Sequence, residues 1–296
     1  MAEPTVVDQP AARADAQQPP PGQGRRRTRR GGRRGTRLML RFVALGYVGV
    51  LVAVPVALVL WRTVEEGWHT FVDALTSPDA QHAFQLTAEV AGVALVINTV
   101  FGVGAALLLA RYRFTGSRVL NLLIDVPVSI SPIIVGLALI LVFGWTTGWF
   151  GPSLHEAGLK VIFAPPGMVL ATAFVSLPLV VREVLPVLEE TGMDQEIAAR
   201  SLGANAWQRL RRITLPTIKW ALAYGVVLSL ARCLGEFGAV RVVSGNVSGS
   251  TQTLTLLVDE RAEQFDPGAY QLSVVLIAVA AACIIVISFV RPGENR

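Results

Sequence analysis

The chain alternates long apolar runs with short polar segments. Six runs carry the pattern: about 38–61, 84–110, 119–143, 167–185, 220–240 and 269–290. A helix rises about 1.5 Å per residue and the hydrocarbon core of a bilayer is about 30 Å thick, so roughly 20 such residues make one crossing. The pattern therefore predicts an all-α polytopic membrane protein with six spans. Pro55 lies inside the first run, Pro127 and Pro132 inside the third, and Pro178 inside the fourth; the third is expected as one span with a break around Pro132. Residues 1–37 show no apolar periodicity and are rich in Ala, Gln, Pro, Gly and Arg, which predicts a disordered basic tail. Residues 292–296 read as a short polar end.

Charge placement orients the spans. Of 26 Lys and Arg residues, 21 fall on the side shared by the tail, the segments 111–118 and 182–219, and the C-terminus. Arg62, Lys160, Arg241 and Arg261 fall on the other, and Arg232 lies within the fifth run. Basic residues are retained on the cytosolic face, so both termini are expected there, with a basic tract against anionic lipid. A cleaved secretory signal is not expected, because the start is long and polar and the first run is too long.

Composition supports the same class. Hydrophobic residues make up 52% and charged residues 16% of 296, against about 25% charge in a soluble domain. The net charge of +5 sits largely in the tail and does not imply nucleic acid. Cys233 and Cys283 lie in predicted spans and read as core filler. His69, His82 and His155 are scattered and make no metal motif, no catalytic set is visible, and no G-x-x-x-x-G-K-[ST] phosphate loop is present. Trp61, Trp145, Trp149 and Trp220 fall where interfacial anchors are expected. The Leu254, Leu257, Val258 and Ala262 spacing predicts an amphipathic helix on the outer face.

One polar stretch interrupts the apolar pattern. Residues 187–216 predict a short helix over Ala198, Ala199 and Leu202, a turn at Gly203, and a second helix from near Asn205. That helix sets Trp207, Leu210, Ile213 and Thr214 apart from Arg209, Arg211 and Arg212, and Pro216 marks the start of the fifth span. Two readings stay open from physics alone: an ordinary interfacial loop, or a handle gripped by a cytosolic partner.

The pattern E-x-A-A-x-x-x-G followed by I-x-L-P resembles the signature of the inner-membrane permeases of ABC importers. It is carried by Glu196, Ala198, Ala199, Gly203, Ile213, Leu215 and Pro216, with Ala204 counted in the same loop. Ile197 stands directly before the two alanines, where that family usually has glutamate. The stretch Trp220 to Asn246, WALAYGVVLSLARCLGEFGAVRVVSGN, is similar to the sulfate/thiosulfate permeases, in particular the W-type member of their pair. The resemblance implies a six-helix permease whose loop 187–216 is a coupling helix, in a bacterial cytoplasmic (inner) membrane. It further implies two ATPase subunits that bind ATP and Mg, a homologous second permease, and an extracytoplasmic sulfate/thiosulfate-binding protein. No cofactor is expected in this chain. Molybdate or another oxyanion as cargo, an ion-gradient-driven transporter, and a membrane scaffold stay open as alternatives.

Within the spans, Arg232 and Glu236 stand four residues apart on one helical face. Charges at this depth are costly and face a cavity, the bundle interior or each other. Two roles are open to the pair: mutual neutralisation, or the lining of an anion pathway. Ser129, beside the Pro132 break, is a further pathway candidate, whereas Asp125, Glu89 and Asn98 read as structural polar contacts.

Overall fold

The computed structural model describes residues 32–146 and 148–290, with side chains from 39 to 289 except 147. Every regular element among them is helical. In chain order they are α1 (Gly32–Glu65), α2 (Gly67–Thr76), α3 (Pro78–Arg111), α4 (Ser117–Ser129), α5 (Pro132–Phe143), α6 (Gly151–Glu156) and α7 (Pro165–Thr191). There follow α8 (Asp194–Ser201), α9 (Ala206–Arg209), a π-helical turn (Leu210–Thr214), α10 (Leu215–Leu234), α11 (Gly238–Ser244), α12 (Leu254–Glu263) and α13 (Gly268–Val290). Five helical runs among the described residues are long and apolar enough to cross a membrane, or six if the bent pair α4–α5 is one span. The protein is an all-α polytopic membrane protein.

Two units divide at Val54 and Pro55. The first, in its described part, is the N-terminal portion of α1, with Met39, Phe42, Leu45 and Leu51 all exposed. Its helix begins at Gly32, inside the segment read as a tail, because arginine is a good helix former and extends the apolar run backwards. The rest of the expected tail and the C-terminal residues 292–296 lie outside the described residues.

The second unit is organised around α7, which buries thirteen residues from Gly167 to Leu188. α3 and α10 pack along it through small residues. A side-chain carbon at Gly102 would stand 2.8 Å from Val180 Cβ, and one at Gly225 would stand 3.2 Å from Val180 Cα. One core gathers Ala106, Ile124, Val180, Val184, Leu188 and Ile218. A second joins Leu86, Val135, Met168, Val175, Val240 and Leu256.

The break expected around Pro132 is a 114° bend between α4 and α5. Ile130 and Ser131 are extended (ψ 141° and 134°), as the residue before a proline is pushed out of the helical region by the ring of Pro132. The fifth span ends at Leu234 rather than Val240, but it begins far earlier than Trp220. Ala206 to Leu234 is one helical run of 29 residues, about 43 Å long at about 1.5 Å per residue. Pro216 does not interrupt it. Proline offers no N–H to the preceding turn, and the chain passes this point with a π register, Leu215 N–H bonding Leu210 O.

α12 lies against α3 and α13, with Leu254 and Leu257 packed on Ala80, Ala83 and Leu272. Leu254 N–H donates to Thr87 Oγ1 at 2.8 Å. Leu256 is buried as well, whereas Ala262, expected on the covered face, is exposed near the helix end.

The Gly102 crossing predicts a sign difference between neighbours. Gly102→Ala should lower the melting temperature of the detergent-purified protein, since overpacking costs about 1–3 kcal/mol. Gly104→Ala, where an added carbon meets nothing within 4 Å, should be neutral or stabilising by up to about 1 kcal/mol from helix propensity.

Candidate functional site

The segment between α7 and α10 encodes its own turn. α8 carries Asp194 and Glu196 in its first turn, where the helix dipole favours acids. It stops in a Schellman arrangement, with Gly203 N–H donating to Arg200 O and Ala204 N–H to Ala199 O, both at 3.0 Å. Gly203 takes φ +85°, which a residue without Cβ adopts freely. Asn205 then caps α9 with a reciprocal box: Gln208 N–H donates to Asn205 Oδ1 at 2.8 Å, and Asn205 N–H to Gln208 Oε1 at 2.9 Å.

Glu196 turns inward. Its Oε1 accepts from Arg111 Nη2 at 3.0 Å and from Thr214 Oγ1 at 3.1 Å. Arg111 also donates through Nη1 to Leu188 O at 2.9 Å. The two charged side chains are 8% and 16% exposed. One carboxylate thus ties the end of α3, the end of α7, α8 and the π-helical turn together. A cavity of about 340 Å³ lies beside it, lined by Arg111, Tyr112, Arg200 and Arg209 among others.

The outward side of the loop is apolar and basic. Leu202, Trp207 and Ile197 are exposed. Trp207 was expected on the covered face with Leu210, Ile213 and Thr214; it instead borders a shallow cavity of about 440 Å³ with Gln208, Arg211 and Arg212. The π-helical turn shifts the register between Trp207 and the buried Thr214, which places them on different sides. Ala199, Ala204, Ile213 and Leu215 are half-buried, while Ala198 and Pro216 are exposed.

At the far end of the same helical run stands the Arg232–Glu236 pair, 2.7 Å apart, with Arg232 37% and Glu236 2% exposed at the side chain. Glu236 does more than neutralise. Its Oε1 accepts from Ala239 N–H at 3.0 Å, so the carboxylate sits on the first turn of α11. Its backbone carbonyl accepts from Thr255 Oγ1 of α12 at 2.9 Å. The helix therefore breaks here because Glu236 supplies partners that the next helix needs.

This break touches the break in the third span. A side-chain carbon at Gly238 would be 3.1 Å from Pro132 Cβ, and one at Gly136 would be 2.9 Å from Ala239 O. Ser129 lies at the edge of this junction. It is exposed, and its Oγ is 3.5 Å from Asp125 O; no hydrogen bond joins it to Arg232 or Glu236 among the described residues.

Other polar positions sort differently. Glu89, expected to reach another helix, accepts instead from Gln85 on its own helix at 3.1 Å. Asn98 is fully buried, and neither amide atom finds a partner among the described residues. Asp125 binds Arg182 of α7 through both oxygens, one contact being 2.8 Å from Nε. Arg182 and Arg111 entered the sequence expectations only as basic residues of the cytosolic side, without partners. The available signal was the rule that charges inside apolar runs come in pairs, since Arg182 falls within the fourth run.

Residues 99–291 match the family model described as binding-protein-dependent transport system inner membrane component. The sulfate transport system permease protein CysW of Synechococcus elongatus is 49% identical, over 77% of this chain and 79% of its own. CysW of Escherichia coli strain K12 is 43% identical over 72% and 74%. CysT of the same strain is 35% identical over 86% and 91%. A chain of a bacterial ABC transporter involved in the import of the acidic polysaccharide alginate shares the fold, with a TM-score of 0.71 over 87% of this chain and 94% of that one, at 17% identity.

The inward-facing clamp makes a stability prediction. Glu196→Ala leaves Arg111 buried without its counter-charge, which typically costs about 3–5 kcal/mol. The double replacement Arg111→Met/Glu196→Leu removes both charges and should melt at a higher temperature than Glu196→Ala alone, measured by thermal unfolding in detergent.

Proposed function

We propose a sulfate-import role for this chain, which belongs to the family of binding-protein-dependent transport system inner membrane components. It is a transport permease subunit, and ATP hydrolysis belongs to a separate ATPase. The reading of sulfate or thiosulfate as cargo rests on one observation above others: relatives named as sulfate permeases align at 35–49% identity over most of both chains.

In this reading the protein lies in a bacterial cytoplasmic membrane with both termini and the 187–216 loop in the cytosol, following the distribution of basic residues. A homologous second permease completes the pathway. Of two ATPase subunits, one binds the exposed face around Leu202, Trp207, Arg211 and Arg212 and the other the matching loop of the second permease, and a binding protein delivers the anion at the α12 end.

The geometry then gives each part a task. Glu196 fastens α8 to the bundle, so displacement of the loop is carried into α3, α7 and the π-helical turn rather than absorbed locally. The run Ala206–Leu234 conveys it to the Arg232–Glu236 break. Arg232 supplies positive charge to a passing oxyanion, and Glu236 limits its hold, since a pathway must release what it admits. Ser129, at the adjoining break, offers a hydroxyl to the same path. Coupling requires that the two states of the bundle differ in affinity for the anion.

Uptake of labelled sulfate, thiosulfate and molybdate into vesicles bearing the complete assembly tests this. ATP-dependent uptake of sulfate, competed by thiosulfate, is expected; ATP-independent uptake would sink the mechanism, and preference for molybdate would sink the cargo. Arg232→Ala should slow uptake by about tenfold or more, as loss of a charge-assisted contact of about 1.5–3 kcal/mol implies, with assembly preserved. Wild-type uptake by that variant would remove Arg232 from the pathway.

A further inference from the structure

We propose that Arg182, held by Asp125, is a second anion station in the pathway, on the loop side of Arg232. This rests on the transport reading above and adds a site that reading does not contain.

Depth is the first ground. Asp125 lies eight residues into α4 and Arg182 nine residues before the end of α7, so each is about 12–14 Å from its helix end at about 1.5 Å per residue. At 27 residues α7 is about 40 Å long, roughly 10 Å more than the hydrocarbon core, so Arg182 stands about 8 Å inside its loop-side face. Yet the pair is open: the side chains are 40% and 42% exposed. A half-exposed ion pair at that depth is costly against lipid tails and is found facing protein or a water-filled path.

The helix that carries it is the second ground. α7 is the most buried of the five long apolar helices, and between Ala171 and Glu189 its exposed positions, Phe174, Arg182, Pro186 and Glu189, fall along one strip. A central helix open along one strip, with a guanidinium in the middle of it, marks where the bundle is completed by something other than lipid.

The chemistry is the third. Asp125 takes Nε and Nη2 of the guanidinium, and Nη1 has no partner among the described residues. Planar guanidinium donors suit a tetrahedral oxyanion, and the bound carboxylate keeps the hold weak. The arrangement repeats that of Arg232 with Glu236. Ser176 Oγ is 3.2 Å from Cys233 Sγ, the residue beside Arg232; Arg182 lies six residues further along α7, about 9 Å along the axis. Two compensated arginines at successive heights along α7 make successive sites, in which binding at one does not trap the ion.

The test uses the complete assembly in vesicles, with sulfate uptake measured while sulfate is also supplied on the ATPase side. Asp125→Asn leaves the arginine uncompensated, and ATPase-side sulfate should inhibit uptake at about tenfold lower concentration. The neutral pair Asp125→Asn/Arg182→Gln should lower uptake by about tenfold and lose that inhibition, with assembly and ATP hydrolysis stimulated by the binding protein retained. Wild-type uptake and inhibition in the neutral pair overturns the proposal. So does loss of assembly in the neutral pair that the swapped pair Asp125→Arg/Arg182→Asp restores together with wild-type uptake, since that assigns a purely structural bridge. Absence of ATP-driven sulfate uptake by the wild-type assembly overturns the transport reading itself, a distinct result.

Discussion

Where a backbone leaves the helix inside a bilayer, its freed N–H and C=O groups need partners from the protein, because the hydrocarbon offers none. Two spans of this protein do leave the helix, at Ile130–Ser131 and at Gly235–Phe237, and the fold around them answers that need. Glu236 gives its carboxylate to Ala239 N–H and its carbonyl to Thr255, while Pro132 and Gly238 bring the two breaks into contact. The two breaks thereby meet, while Ile130, Ser131 and Gly235 stay exposed. The glycines that allow this approach and the acid that satisfies the backbone sit beside Arg232, the charge proposed for the anion path.

The same economy holds at the loop. A carboxylate that would be unremarkable on a surface helix is turned inward, where Arg111 and Thr214 hold it. This leaves the apolar and basic outer side of the loop for a partner and makes its inner side rigid. Between loop and break runs a single helix with a π-helical turn at its start. π-Turns accommodate an extra residue without ending a helix, and here one lets Pro216 stand in the run. The lever is continuous because the irregularity is absorbed at that point.

Much of this was legible in the sequence. The six apolar runs, the Gly203 stop and the Asn205 start follow from periodicity and capping chemistry, which are local. The Arg232–Glu236 pairing follows from i,i+4 spacing. What local rules could not supply were partners far apart in the chain: Arg111 with Glu196, and Asp125 with Arg182. The bend at Pro132 was marked by its proline, but whether a proline kinks or breaks a span depends on what covers the freed backbone. Trp207 was misplaced because a regular 3.6-residue period was carried across a stretch that takes a π register.

The central claim is that displacement of the loop reaches the Arg232–Glu236 break through the intact run Ala206–Leu234. The direct measurement is the number of sulfate ions taken up per ATP hydrolysed in vesicles carrying Lys219→Gly/Trp220→Gly. Both positions are exposed, and two glycines weaken the helix by about 1 kcal/mol each without removing a core side chain. The ratio should fall severalfold while ATP hydrolysis still responds to the binding protein. An unchanged ratio in correctly assembled vesicles would contradict the account.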